Sequence, residues 1–258
     1  MPNCIDDKDG LPAEDLSRFA TMLGEAGCVV AFTGAGLSTE AGIPDFRSPG
    51  GRWARMAPIS FQDFMTNDRA RRETWRRRFA MDGELKQARP TRGHHAIASW
   101  IRAGLSPAVI TQNIDNLHQA SGIPSDSVIE VHGNTTYAAC LACRRRYEID
   151  ALRPRFEATG DAPLCEACGG FVKSATIAFG QPMPREAMMR AVDLARSCDL
   201  FVVVGSSLVV HPAASLPRIA REHGAGVVIV NREATPCDGE ADLLLRGEIG
   251  EILAGFNL

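Results

Sequence analysis

No stretch of this 258-residue chain approaches the run of about eighteen apolar residues that a membrane-spanning helix requires. The apolar run Leu200 to Val204 suits a buried strand instead. The N-terminal region has no basic segment followed by an apolar stretch, so no secretory leader is read there. Charge of one sign is also missing. The chain has 28 Lys and Arg against 31 Asp and Glu, a net −3 that supplies no general drive toward nucleic acid or acidic membranes. There is neither an internal repeat nor a low-complexity tract. These absences lead us to expect a soluble, cytoplasmic protein with no membrane partner and no strong nucleic-acid signal. The length sits near the upper limit for one hydrophobic core, so a large domain with a small appended module is expected.

A disulfide scaffold is excluded as well, because eight cysteines are too few for a chain this long. Four fall in two tight pairs, Cys140-x2-Cys143 and Cys165-x2-Cys168, with twenty-one residues between the pairs. Four thiolates at this spacing close a tetrahedral zinc site with no open position, which makes the metal structural rather than catalytic. The segment around them looks short of apolar residues for a core of its own, so zinc is expected to hold it together. Cys4, Cys28, Cys198 and Cys237 are scattered and read as small apolar fillers or exposed thiols.

Along the chain, Asp15 to Ala26 has helical spacing, and Gly27 breaks it before a short apolar strand, Cys28 to Phe32. Similar runs recur at Ala108–Thr111, Val128–Val131, Leu200–Gly205, Val227–Asn231 and Ala241–Leu245. Helical patterns at Glu186–Arg196 and Ala213–Glu222 lie between the later ones. Near-continuous apolar strands alternating with helices indicate an α/β fold, a doubly wound parallel sheet covered on both faces. Two stretches break the rhythm: residues 52–95, rich in Arg and read as helical, and residues 135–180, which hold the cysteines. The expected organisation is a Rossmann-like large domain from 1–51, 96–134 and 181–258, with a small helical and zinc-ribbon domain from 52–95 and 135–180.

Polar motifs follow the strands, where ligands of open α/β sheets sit. Gly34-Ala-Gly-Leu-Ser-Thr-Glu-Ala-Gly42 follows the first strand. It departs from the usual dinucleotide fingerprint, since Thr39 stands at the third glycine. It reads either as a phosphate-binding turn or as a tight turn without ligand. The following loop, Ile43-Pro-Asp-Phe-Arg47, places an acid, an aromatic ring and a guanidinium together. Thr111-Gln-Asn-Ile-Asp-Asn-Leu-His118 supplies polar groups to a pocket or, in the plainer reading, an Asx-rich helix cap. His132, in Val-His-Gly after the third strand, is a general base if a cleft holds it and otherwise a structural histidine. Gly205-Ser-Ser-Leu-Val-Val-His-Pro212 and Asn231-Arg-Glu233 close the series, and Glu233 could accept from ribose hydroxyls.

Read in order, these blocks resemble the sirtuin family of NAD-dependent protein deacylases, and in particular a minimal, bacterial-type member whose short N-terminus carries no regulatory extension. The matching stretches are GAGLSTEAGIPDFR, TQNID with LH, VHG, the paired C-x-x-C, FG then MP, GSSLVVHP, and the VN before RE. The resemblance implies a transferase-class enzyme that uses NAD as co-substrate and one structural zinc ion. Its products would be nicotinamide, O-acyl-ADP-ribose and free lysine. Gly34, Ala35, Gly36 and Ser38 would line the pyrophosphate and ribose, and Asp45, Phe46 and Arg47 would belong to a mobile loop over the nicotinamide ribose. Gln112, Asn113, Ile114 and Asp115 would bind that ribose and the carboxamide. Gly205, Ser206 and Ser207 would hold phosphate and adenine ribose, and Asn231, Glu233 and Ile249 the adenosine end. His132 would take a proton from a ribose hydroxyl, with Asn113 and Asp115 beside it in the catalytic set. Ile177, Phe179 and Gly180 would form a strand edge against which an acyl-lysine peptide adds.

Gln181 stands where the family often has an acid, and Lys173-Ser174 where it often has Arg-Pro; both bear on peptide docking. Members that accept acidic acyl groups carry Tyr-x-x-Arg, and Trp75-Arg-Arg-Arg78 matches only in part. We read that segment as a solvated basic helix face and expect acetyl or longer uncharged acyl groups to be preferred. Two rival readings are an NAD hydrolase or ADP-ribosyltransferase using the same pocket, and a zinc-ribbon module that binds nucleic acid.

Overall fold

The computed structural model describes residues 12–48 and 50–258, so Cys4 lies outside the described residues. Nine strands occur among them. Those of the larger sheet are β1 (Val29–Thr33), β2 (Val109–Thr111), β3 (Val128–Glu130), β7 (Leu200–Val204), β8 (Gly226–Val230) and β9 (Leu243–Leu245). Those of the smaller sheet are β4 (Gly133–Cys140), β5 (Arg146–Glu148) and β6 (Val172–Thr176). The larger sheet is parallel at every pairing, in the order β3-β2-β1-β7-β8-β9. This is the doubly wound arrangement expected from strands without polar alternation.

Alternate residues of these strands feed two cores. Val29, Ala31, Val202, Val204, Val228 and Val230 pack toward the helices Ala13–Glu25, Arg92–Arg102 and Ile249–Ala254. Val30, Phe32, Phe201, Val203, Val227 and Ile229 pack toward Arg185–Ser197 and Leu216–Glu222. Each such side chain contributes about 1.5–3 kcal/mol on burial. Because β1 lies between β2 and β7, the strand order reverses there, and a crevice opens beyond the carboxyl ends.

The smaller sheet is antiparallel, in the order β5-β4-β6. Its core combines Ala138, Cys140, Ile149, Cys165 and Val172 with Trp75 and Phe79 from the helix Asp68–Ala80. Three of the segment's own buried core residues are Ala or Cys, and the helical excursion supplies the large rings. Between the cysteine pairs runs a helix, Ile149–Thr159, that contains Pro154 and that the sequence reading missed. It joins the same core through Phe156 and Leu152.

The glycine-rich segment enters a 3-10 helix, Ala35–Ala41. Two local expectations are corrected. Ile177–Gly180 is not a strand: β6 ends at Thr176, and Gly180 adopts φ +81°, a left-handed turn that strand geometry does not allow. Trp75 and Arg78 do not lie on a solvated face. They are 1% and 7% exposed, because that side of the helix packs on the small sheet. Among the scattered cysteines, Cys198 is buried in the large core, where burial first of all pushes its thiol up to about 12, so it is an inert filler.

Candidate active site

A cleft of about 560 Å3 runs across the carboxyl ends of the large sheet and under the small one. That volume suits a small-molecule or cofactor site. The segments following β1, β2, β7 and β8 line it through Gly34, Gln112, Gly205 and Asn231, and His132 joins them just beyond β3.

The glycines here are required by the protein itself. A Cβ on Gly34 would come within 2.6 Å of the Gly205 oxygen, and one on Gly205 within 2.4 Å of the Leu37 nitrogen. Gly205 also takes φ +66°. The turns after β1 and β7 thus lie back to back, so the glycines serve this contact as well as the cleft wall that they form.

Side chains from different strands lock the loops together. Gln112 Nε2 donates to Ser206 Oγ at 2.7 Å, joining the β2 and β7 turns. Asn113 Nδ2 donates to the Gly34 carbonyl at 3.0 Å and to Ser38 Oγ at 3.2 Å. Ser38 Oγ in turn donates to Asp115 Oδ2 at 2.7 Å. Burial raises the Asp115 carboxyl, with the Leu117 N–H and the Ser38 hydroxyl opposing it.

His132 Nδ1 lies 3.1 Å from the Gln112 carbonyl oxygen. A carbonyl only accepts, so Nδ1 carries the proton and Nε2 keeps its lone pair. Burial depresses the imidazole, the Gln112 carbonyl opposes that, and the positive charge of Arg47 adds to the depression. His132 is therefore neutral at working pH, the protonation state a base needs.

Over the cleft, Phe46, Trp53 and Phe179 form a tilted aromatic series with centroids 5.4 and 5.3 Å apart. The Arg47 guanidinium lies 4.2 Å over the Trp53 ring. Asp45 Oδ1 shapes this loop by accepting from the backbone N–H groups of Arg47 and Ser48. The Phe179 carbonyl accepts from Phe61 N–H, and the His132 carbonyl from Ile177 N–H, so segment 177–180 is tied to the helical excursion and to the loop that carries His132.

Away from the cleft, the Sγ atoms of Cys140, Cys143, Cys165 and Cys168 lie within 4.8 Å of one another. The Cys140–Cys168 and Cys143–Cys165 separations are 3.5 Å. Tetrahedral zinc with bonds of about 2.3 Å needs sulfurs about 3.8 Å apart, close to these separations, so the donor set fits one zinc ion. The Tyr147 hydroxyl donates to Cys165 Sγ at 3.1 Å, the kind of outer contact that steadies a thiolate.

Comparison with known proteins then decides the family, for the description "Sir2 family" matches residues 34–212. The chain belongs to the Sir2 family. A curated relative from Rhodopseudomonas palustris, named NAD-dependent protein deacetylase, is 56% identical over 93% of this chain and 95% of its own. Another from Archaeoglobus fulgidus, named NAD-dependent protein deacylase 2, is 41% identical over 93% and 94%. Among solved structures, "Sir2-p53 peptide-NAD+" is 36% identical with TM-score 0.82, covering 92% of this chain and 95% of that one. "Structure of Sir2Tm bound to a propionylated peptide" is also 36% identical, at TM-score 0.81 with the same coverage.

In this Sir2-family chain nearly all the residues singled out from sequence meet at the cleft: Gly34, Ala35, Gly36, Asp45, Phe46, Arg47, Gln112, Asn113, Ile114, His132, Ile177, Phe179, Gly180, Gly205, Ser206, Ser207, Asn231, Glu233 and Ile249. Ile249 opens the last helix. Ser38 and Asp115 are not on the wall; they back Asn113 from behind. Sequence reasoning missed Trp53, Lys173 and Glu248 as lining residues, and Arg78 is there too. Lys173 is 3% exposed, with Nζ donating to the Thr176 carbonyl at 2.5 Å, and burial brings its ammonium down to about 8. The available signal was the departure already noted, Lys173-Ser174 where the family often has Arg-Pro. No such signal marked Trp53 or Glu248.

Proposed function

We propose that this chain is an NAD-dependent protein lysine deacylase. Neutral His132 shares one cleft with the strand-end residues of the large sheet and with segment 177–180, and this convergence carries the reading. The residues present suit the co-substrate: a turn of small residues for a pyrophosphate, a carboxylate at Glu233 for ribose hydroxyls, and an aromatic cover. When bound, NAD supplies an electrophilic ribose carbon with nicotinamide as leaving group.

The chain's own residues orient and deprotonate. His132 Nε2 takes a proton from a ribose hydroxyl, while the Gln112 carbonyl holds the ring by Nδ1–H. Asn113 is held by Gly34 and Ser38, so its position in the wall is set before any ligand arrives. Asp115, reached through Ser38, acts by positioning. Phe46, Trp53 and Phe179 exclude water above the reacting atoms. An acyl-lysine peptide lies along Ile177–Gly180 as an extended segment rather than as a strand added to an edge.

Acetyl or longer uncharged acyl groups are the proposed substrates. Arg78 reaches the cleft, but its guanidinium is engaged by Asp82 at 2.6 Å and by the Thr135 carbonyl at 2.9 Å. That leaves it poorly placed to receive a carboxylate from the acyl chain. The proposed division is 1–51, 96–134 and 181–258 against 52–95 and 135–180, save that the helix Arg92–Arg102 packs with the large core and β4 starts the small sheet at Gly133, and that residues 1–11 and 49 lie outside the described residues. A cytoplasmic location is proposed from the paired thiols, which suit a reducing compartment, and from the lack of any helix able to cross a membrane among the described residues.

The test is nicotinamide release from NAD with and without acyl-lysine peptides, beside His132→Ala. Release should depend on peptide and fall about 10²–10⁴-fold in the variant. Equal release without peptide would indicate an NAD hydrolase. Faster removal of succinyl than of acetyl would overturn the acyl preference.

A further inference from the structure

Two buried histidines lie beneath the cleft and have no part in the steps above. His94 and His118 are 0% and 1% exposed, with ring centroids 4.9 Å apart. His94 Nε2 and His118 Nδ1 are buried without a partner, while every other ring nitrogen of the pair is engaged. The Thr91 backbone N–H donates to His94 Nδ1 at 3.2 Å, so that nitrogen bears a lone pair and Nε2 bears the proton.

His118 Nε2 lies 2.8 Å from Thr33 Oγ1, and the Thr33 hydroxyl donates to Thr111 Oγ1 at 2.8 Å. Thr33 has then given its proton away, so it accepts one from His118 Nε2–H. His118 Nδ1 is left with a lone pair, and neither it nor the His94 Nε2–H has a hydrogen-bond partner. The opposite tautomer would bury a second unpartnered donor at Nδ1 and would take from Thr33 the proton that its oxygen accepts. Thr33 and Thr111 are the last residues of β1 and β2, directly before Gly34 and Gln112. Thr111 Oγ1 also accepts the Asn113 backbone N–H at 3.0 Å.

We infer that His118, held as its Nε2–H tautomer by the Thr33 oxygen, is a positioning residue. It donates through Thr33 to Thr111 and thereby fixes Asn113 and the ends of β1 and β2 on the cleft. Its kinetic consequence rests on the deacylase reading; the tautomer does not.

The experiment has two arms. Nitrogen-resolved NMR of the imidazole rings in the resting protein should show His118 as neutral Nε2–H. In peptide-dependent nicotinamide release, His118→Phe and Thr33→Val should each lower kcat about tenfold to a hundredfold with the peptide KM unchanged. The double variant should be no worse than either single one, and His118→Gln, which keeps an N–H near Nε2, should recover most of the loss. A His118 Nδ1–H tautomer would overturn the inference, as would additive losses or full activity in a folded His118→Phe. If His118→Phe does not fold, Thr33→Val and the spectrum decide. Absence of turnover in the unaltered protein would instead sink the deacylase reading, with the spectrum still deciding the tautomer.

Discussion

In the large sheet, β1 and β7 are buried at every residue, whereas in the small sheet β4 alternates irregularly and β5 has exposed residues at both ends. The large sheet closes two cores from its own strands and helices. The small sheet has one core, in which two of the four clustered cysteines take part and Trp75 and Phe79 come from a helix distant in sequence. One unit is thus ordered by burial of apolar surface. The other lacks enough of it and depends on metal coordination and on borrowed aromatic rings.

The largest effect should follow from breaking the weaker unit at its metal. Cys140→Ala, or chelation of the intact protein, should release the zinc and unfold the small sheet while the large sheet keeps its helical and strand signal. Apparent zinc-binding energies for such sites run to about 10–16 kcal/mol, more than a small core can replace. Metal analysis beside circular dichroism checks this, and unchanged metal content in Cys140→Ala would contradict it. The mirror experiment is Phe201→Ala in the large core, at a fully buried ring that packs on Phe32 at 5.9 Å. A loss of about 3–5 kcal/mol is expected in denaturant titration, with zinc retained.

The same comparison accounts for what could be read in advance. The large sheet was legible because each polar motif follows an apolar run, and strand order then carries all of them to one edge. The zinc ligands were legible because their spacing alone determines the chemistry. What could not be read depends on partners distant in sequence. The burial of Trp75 and Arg78 among many arginines requires the Val172 carbonyl, which accepts the Trp75 indole N–H, and Asp82, which also binds Arg153. The helix around Pro154 is held by Phe79 and its neighbours against a local breaker. Ser38 and Asp115 carry the residue types of ligand contacts, and only the third dimension places them behind Asn113.

Acid should separate the units by a third route. His94 and His118 are both depressed by burial, His118 to about 3, with His94 lowered further by the charge of its neighbouring histidines. Below about pH 6.5 the unfolded chain binds protons that the native one refuses, so stability falls as pH falls from 6.5 toward 3. His118 contributes a slope of about 1.4 kcal/mol per pH unit in that window, and His94 adds to it in the same direction. Denaturant midpoints measured at successive pH values should show it, and a flat profile between pH 6 and 5 would contradict the burial of the pair. Proton binding to zinc thiolates in the same range is distinguished by metal release.

The smallest effect concerns the ion pairs at the small unit, the one remaining explanation for its order. Arg72 reaches Asp68 at 2.7 Å and Asp161 at 3.1 Å, so it links the helix Asp68–Ala80 to the loop before the second cysteine pair. All three side chains are half exposed, where water and salt screen the attraction and ordering them costs entropy. Arg72→Ala should therefore cost less than about 1 kcal/mol, with zinc retained and little change on adding salt. Were its cost to approach that of removing the metal, charge rather than coordination would be holding the small sheet. The contrast with the apolar large sheet would then lie in electrostatics instead of in the scarcity of a core.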